Sequence, residues 1–325
     1  MQKALELDDL RVHYPTGGGL LKAVDGVSLS VGTGETVGLV GESGCGKSTL
    51  ARCVVGLNAP TGGAVRLAGW ETSGGRGDRL TRARVVQMIF QDPMGSLNPR
   101  LTTRQTIELP LKVHGIGNRA ERLEKVLELM KQVGLGPHLL DRYPHELSGG
   151  QRQRVSIARA LALEPALLIC DEIVSALDVS VQAQVLNLLT DLQTRLGIAF
   201  LFITHDLAVV RYLSDRIVVM YLGRIVEEGP AESVWNHARH PYTQALVSSI
   251  PDRMAGTRLR LSGDLPSPID PPSGCGFRTR CPHARPICAE QRPELRGAGL
   301  PHLVACHFAA EIPELAAPAP AATAP

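Results

Sequence analysis

No apolar run in this chain approaches the roughly 18 residues that a membrane-spanning helix requires. The longest, Ile198 to Ile203, suits a buried strand instead. The first ten residues also lack the apolar core of an export signal and carry Glu6, Asp8 and Asp9 in its place. An excess of one charge is missing as well, since 34 Lys and Arg against 32 Asp and Glu leave a net charge of +2. That balance gives no basis for a nucleic-acid partner. There is no internal repeat, which argues against a duplicated unit within the chain. Seven cysteines, an odd number without an export signal, argue against a disulfide framework. The cytosol is the expected compartment. What is there is ordinary globular composition, 44% hydrophobic and 20% charged over 325 residues. That suffices for one large domain with a smaller appendage, or two modest domains.

Residues 4 to 40 alternate short apolar runs with turns such as Thr16-Gly17-Gly18-Gly19, which predicts an antiparallel β region. The strand-and-turn texture continues over 62–90 and ends in Val85 to Phe90. From Arg119 the period changes. Leu123, Val126, Leu127, Met130 and Val133 sit at helical spacing, and Gly134 stops the run. Arg152 to Leu163 reads as a helix entered through Ser148-Gly149-Gly150, and Val181 to Leu196 as another closed by Gly197. Ala166 to Cys170, Ile198 to Ile203 and Ile217 to Met220 read as strands. Strands alternating with helices predict an α/β fold whose core sheet is mostly parallel, with a helical subdomain at about 100–165.

The densest chemistry lies in Gly41-Glu42-Ser43-Gly44-Cys45-Gly46-Lys47-Ser48-Thr49, between the apolar strand Thr36 to Val40 and a helix continuing from Leu50. Strand, glycine-rich turn and helix together are the context of a phosphate-binding P-loop. Glycines let successive backbone N–H groups face phosphate oxygens, and the helix adds its positive end. Lys47 can reach the outer phosphates, and Ser48 is placed to ligate Mg²⁺. A second apolar strand, Leu167 to Cys170, ends in Asp171 and Glu172. Asp171 can hold Mg²⁺ through water, and Glu172 can orient an attacking water or take its proton. Leu147-Ser148-Gly149-Gly150-Gln151 opens another helix and forms a second phosphate-seeking N-terminus.

With that pentapeptide in place, residues 4 to about 255 resemble the ATP-binding cassette (ABC) family. The resemblance implies a P-loop ABC nucleotide-binding domain that binds ATP and Mg²⁺. Within it, Leu147, Ser148, Gly149, Gly150 and Gln151 match the signature, Gln91 the Q-loop that also meets Mg²⁺, and Ser175-Ala176-Leu177-Asp178 the D-loop. His205 matches the switch histidine, and Tyr14 the aromatic residue that stacks on adenine. Two cassettes of this family dimerise head to tail, so each signature serves the ATP of the other. One departure stands out: the family usually has proline after the catalytic glutamate, where this chain has Ile173. The closer resemblance is to ATPase subunits of dipeptide and oligopeptide importers. It rests on His13-Tyr14-Pro15, Lys22 to Ser28, Gln91-Asp92-Pro93, Ser96 to Arg100, Arg142 to His145 and Arg239 to Thr243. It implies a second, non-identical ATPase subunit, two transmembrane permease subunits, an external substrate-binding protein, and a peripheral place on the cytoplasmic face of the membrane. Nickel and glutathione importers are near relatives, so the cargo stays open among these. A soluble ABC ATPase acting on DNA or the ribosome would carry a long coiled-coil insertion or a second cassette, and neither is present.

The domain reading is therefore an ABC domain over 1–255, a cysteine-rich C-terminal extension over 256–310, and a disordered Ala/Pro tail over 311–325. The extension is too rich in proline and glycine to order itself by burial alone. Cys275, Cys281, Cys288 and Cys306, with 5, 6 and 17 residues between them, lie within it. A bound metal centre could supply the missing folding free energy. Structural zinc sites commonly use cysteine pairs two to four residues apart. The wide spacing suits a [4Fe–4S] cluster better, with Zn²⁺ as the alternative. The segments Gly274 to Pro282 and Val304 to His307 also resemble the importer ATPases, for which such a cluster is a feature. Nearby Arg278, Arg280 and Arg285 could offset the cluster's charge.

Overall fold

The computed structural model describes residues 2–72, 76–175, 177–250, 263–297 and 302–313. The chain opens with a long hairpin, β1 (Lys3–Thr16) and β2 (Gly19–Gly32), followed by β3 (Thr36–Val40) and α1 (Lys47–Val54). Next come β4 (Gly62–Leu67), β5 (Trp70–Glu71), α2 (Arg76–Val85) and β6 (Val86–Ile89). A helical stretch follows: α3 (Pro93–Ser96), α4 (Thr103–Val113), α5 (Arg119–Gln132) and α6 (Gly149–Leu161). Then alternate β7 (Leu167–Asp171), α7 (Val179–Leu196), β8 (Ala199–Thr204), α8 (Leu207–Leu213), β9 (Arg216–Tyr221) and β10 (Arg224–Pro230). After these come α9 (Ala231–His237), α10 (Pro241–Ser248), α11 (Ile287–Glu290), β11 (Arg296–Gly297) and β12 (Leu303–Val304).

Two sheets result. The first is antiparallel, in the order β2-β1-β4-β5. The second runs β11-β12-β10-β9-β3-β8-β7-β6. Its centre is parallel, with β3 between β8 and β9, and β7 between β8 and β6. β3, β7 and β8 are buried along their whole length, which is why they read as unbroken apolar runs and not as alternating ones. The hairpin and α1 close one face of this sheet, around Leu5, Leu10, Leu39 and Leu50. The helical stretch and α7 close the other, around Ile107, Met130, Ile157 and Leu189. A third cluster joins β9, α9 and α10 to Phe277 from the C-terminal region.

Helix starts follow local chemistry. Thr102, Asn118 and Ser148 each form a capping box with the Gln or Glu three residues on. Gly197 closes α7 at φ 64°. The antiparallel region, the parallel core and the intervening helices match the expected α/β architecture. Within 62–90, however, residues 76–85 are helical and not strand-and-turn. The helix is held by one local pair and one tertiary contact: buried Arg82 meets Asp78 one turn earlier and donates to the Cys53 carbonyl. β12 pairs with β10 through Glu227 and Glu228, so the C-terminal region contributes strands to the core sheet. Of the tail expected to lack order, residues 314–325 lie outside the described residues, as do 251–262 and Ala176. Among the described residues no helix is long and apolar enough to cross a membrane.

Candidate active site

Sheet order places the chemistry. Four neighbouring parallel strands, β3, β8, β7 and β6, release their next residues at one edge. These are the glycine-rich turn after β3, His205 after β8, Glu172 after β7, and Gln91 two positions after β6. Ligands of open α/β sheets bind at such carboxyl ends, where connections diverge.

The turn 41–46 is shaped by close approach. Gly46 has φ 108°, and a Cβ there would fall 2.0 Å from the Ala23 carbonyl oxygen, so only glycine fits. Lys47 is 4% exposed, and its ammonium donates to the carbonyls of Gly41 (2.7 Å) and Glu42 (3.0 Å). The Ser48 hydroxyl donates to Asp171 Oδ1 at 3.1 Å. Burial raises the Asp171 carboxyl above its ordinary range, and the Ser48 hydrogen bond opposes this. Two hard oxygen donors side by side, one from a P-loop helix and one from a strand end, fit a small divalent cation that keeps its waters. Cys45 is buried, Ser43 and Gly44 are exposed, and Thr49 lies in the first turn of α1.

Glu172 sits one residue further on, at φ 49°, a left-handed backbone that costs a non-glycine residue about 1–3 kcal/mol. Its N–H donates to the Ile203 carbonyl, and its own carbonyl accepts from Ser175 Oγ. The side chain is bridged on both sides. Gln91 Nε2 donates to Oε2 at 2.8 Å, and His205 Nδ1 lies 3.4 Å from Oε1. Gln91 therefore meets Glu172 and not the Ser48–Asp171 pair. Ile173 is buried in the cluster beneath the helices, so the side chain standing at the usual proline position packs into the core. Tyr14 is half-buried against the hairpin core, its hydroxyl accepting from Asn58 beyond α1.

The second glycine-rich helix start is built differently. Ser148 is exposed and caps α6, accepting from Gln151 N while Gln151 Oε1 accepts from Ser148 N. Leu147 is buried beneath it. A Cβ at Gly150 would fall 2.9 Å from Val181 Cγ1, and one at Gly149 would touch Leu177. The start of α6 is thereby fitted against the turn bearing Ser175 and Asp178, both exposed.

Cys275, Cys281, Cys288 and Cys306 line one small cavity, with Phe277 and Phe308 beside them. Cys275 N donates to the Cys288 carbonyl, drawing the two segments together. Burial pushes the Cys306 thiol up to about 11 and also raises Cys275 and Cys281. Among the described residues, no three His, Cys, Asp or Glu side chains are gathered as ligands of one metal ion. The nearby arginines are engaged elsewhere. Arg278 donates to the Ser273 carbonyl, Arg285 pairs with Glu311, and Arg280 reaches Glu42 of the glycine-rich turn. Nothing local in the sequence of either segment signals that last contact.

A glycine cradle, an acid at a strand end and a second carboxylate along one sheet edge define a P-loop nucleotide hydrolase. The family model "ABC transporter" matches residues 24–175, and "Oligopeptide/dipeptide transporter, C-terminal region" matches residues 226–288. The chain is 51% identical to the oligopeptide transport ATP-binding protein AppF of Bacillus subtilis, over 94% of this chain and 97% of that protein. It is 52% identical to OppF of Escherichia coli, over 93% and 95%. Among solved structures it is similar to the dimeric cassette MJ0796 in a post-hydrolysis state bound to ADP and Pi. That match has a TM-score of 0.64 and 32% identity, covering 70% of this chain and 98% of that one. CbiO1 of Clostridium perfringens, part of the transporter complex CbiONQ, matches at TM-score 0.66 and 29% identity, over 72% and 91%. The chain belongs to the ABC transporter ATPases, in the oligopeptide/dipeptide branch.

Proposed function

We propose that this chain energises import of di- and oligopeptides as one of two ATPase subunits on the cytoplasmic face of a membrane complex. Likeness to peptide-transport ATP-binding proteins along nearly the whole chain, C-terminal region included, supports the reading. In it, backbone N–H groups of 43–49 and Lys47 hold the ATP phosphates, Ser48 and Asp171 hold Mg²⁺, and Tyr14 stacks on adenine. Mg²⁺ would offset charge on the phosphate oxygens. Glu172, presented by Gln91 and His205, orients the attacking water and takes its proton. The exposed Ser148 end of α6, with Ser175 and Asp178, faces the ATP of the second, non-identical ATPase. Two permease subunits docked on the helical stretch carry the cargo that an external binding protein delivers. The test is uptake into proteoliposomes holding the full complex. ATP-dependent accumulation of labelled oligopeptide, but not of nickel or glutathione, is expected; uptake of nickel alone would reverse the substrate assignment.

The four cysteines lining one cavity are proposed to hold a [4Fe–4S] cluster, which gives each thiolate an iron of its own. Its role is to order the C-terminal region. Protein purified without oxygen should be brown and contain about four irons per chain. Stoichiometric zinc without iron would assign the site to Zn²⁺.

A further inference from the structure

We infer that Arg280 is a positioning residue for ATP binding, acting through Glu42 on the phosphate cradle. Glu42 is the second residue of the glycine-rich turn, and each of its polar groups is held. Its carboxylate takes two hydrogen bonds from the Arg280 guanidinium, at 2.8 and 3.1 Å. Its N–H donates to the Tyr242 hydroxyl at 2.7 Å. Its carbonyl accepts from Lys47 Nζ at 3.0 Å. The backbone that receives the Lys47 ammonium is thus fixed from two sides by residues 200 and 238 positions away in sequence.

The pair is built to matter. The Arg280 side chain is 7% exposed and that of Glu42 27%, so water screens the contact poorly. A two-point guanidinium–carboxylate contact also fixes orientation, which a single ammonium cannot do. Arg280 stands in a turn closed by its own N–H on the Phe277 carbonyl, directly before Cys281. Phe277 in turn packs against Tyr221 and Tyr242, with ring centroids 5.2 and 5.6 Å apart. The cysteine-bearing region therefore grips the cradle twice, by Arg280 on the Glu42 side chain and by Phe277 behind the tyrosine that holds the Glu42 N–H. Arg280 touches no group assigned to the nucleotide; it sets where the Glu42 carbonyl, and with it Lys47, stands.

The inference rests on residues 41–49 being the phosphate cradle, and the experiment separates the two. Binding of Mg²⁺-ATP to the full chain is measured as Kd and as sites per chain for wild type, Arg280→Ala, Arg280→Lys, Glu42→Gln, the Arg280→Ala/Glu42→Gln double variant and Lys47→Ala. Arg280→Ala is expected to raise Kd about tenfold with one site per chain retained. Arg280→Lys should fall between it and wild type. The double variant should be no worse than the worse single one, because both remove the same contact. A purely structural role would instead lower the number of sites at unchanged Kd. Wild-type Kd in Arg280→Ala, or additive losses in the double variant, overturns the inference. If Arg280→Ala does not fold, Arg280→Lys and Glu42→Gln carry the test, and wild-type Kd in both overturns it. Wild-type affinity in Lys47→Ala would overturn the cradle assignment itself.

Discussion

The two glycine-rich helix starts of this chain make opposite use of the same chemistry. At 41–49 Lys47 closes on the turn's own carbonyls, and the turn is tied to distant elements by Ser48 on Asp171 and Glu42 on Tyr242 and Arg280. At 147–151 the polar groups close on themselves, Ser148 and Gln151 capping each other at the surface. The first is organised from within the chain. The second closes on its own cap and presents its serine outward. In the function proposed above, the first is this chain's own half of a site and the second the half it offers a partner.

That contrast can be broken in order of effect. The largest loss should come from Glu172→Gln, which keeps the Gln91 bridge but removes the base. ATP turnover by the complex should fall about 10²- to 10⁴-fold while ATP binding persists, the range typical of a lost general base. Near-normal turnover would transfer the base role elsewhere. Lys47→Ala should weaken ATP binding to the full chain about 10- to 100-fold, the worth of a charged hydrogen bond to phosphate. Equilibrium binding reads it directly. Ser148→Arg acts on the other half. It should leave ATP binding to the isolated chain unchanged and slow turnover by the complex about tenfold or more, since a bulky unpaired charge is forced into the closed interface. If the isolated, folded variant lost ATP, the two halves would not be separate.

The smallest effect concerns acid. His240 is fully buried at the start of α10, accepting from Tyr242 N through Nδ1, and burial lowers it to about 4 despite the Glu227 carboxylate. Its unfolded-state value is 6.5. The unfolded chain thus binds the proton first, and stability is full above 6.5 and lost as pH falls toward 4. Between pH 7 and 5.5 the loss should be about 1 kcal/mol. His240→Asn, which retains a capping acceptor, should flatten that slope in denaturant titrations. Because α10 carries Tyr242, the weakening enters on the cradle side.

What could be read from the sequence follows from locality. The 41–49 turn, the Asp171-Glu172 strand end and the Ser148 cap are each contiguous, so residue order alone displays them. Helix α5 shows its period because Val126, Met130 and the following Val133 are buried, although Leu127 is exposed, and its end because Gly134 follows. Helix α2 was hidden: half of its residues are charged and show no clear apolar stripe, and its anchor, Arg82 on the Cys53 carbonyl, is tertiary. β12 was hidden because two residues give no period, and only their pairing with Glu227 and Glu228 makes them a strand. The Arg280–Glu42 contact could not be read at all, since nothing local in either segment names the other.

The short strand at 303–304 has a further effect. β10 would otherwise offer Glu227 and Glu228 backbone groups at an open sheet margin, a template on which foreign strands add and chains aggregate. β12 fills that margin, and it is fastened by His302, whose ring meets the buried Glu227 carboxylate at 2.8 Å. The C-terminal region thereby moves the sheet's margin from β10 to the two-residue β11, a far shorter edge. Losing it would expose a sticky edge as well as loosening a grip.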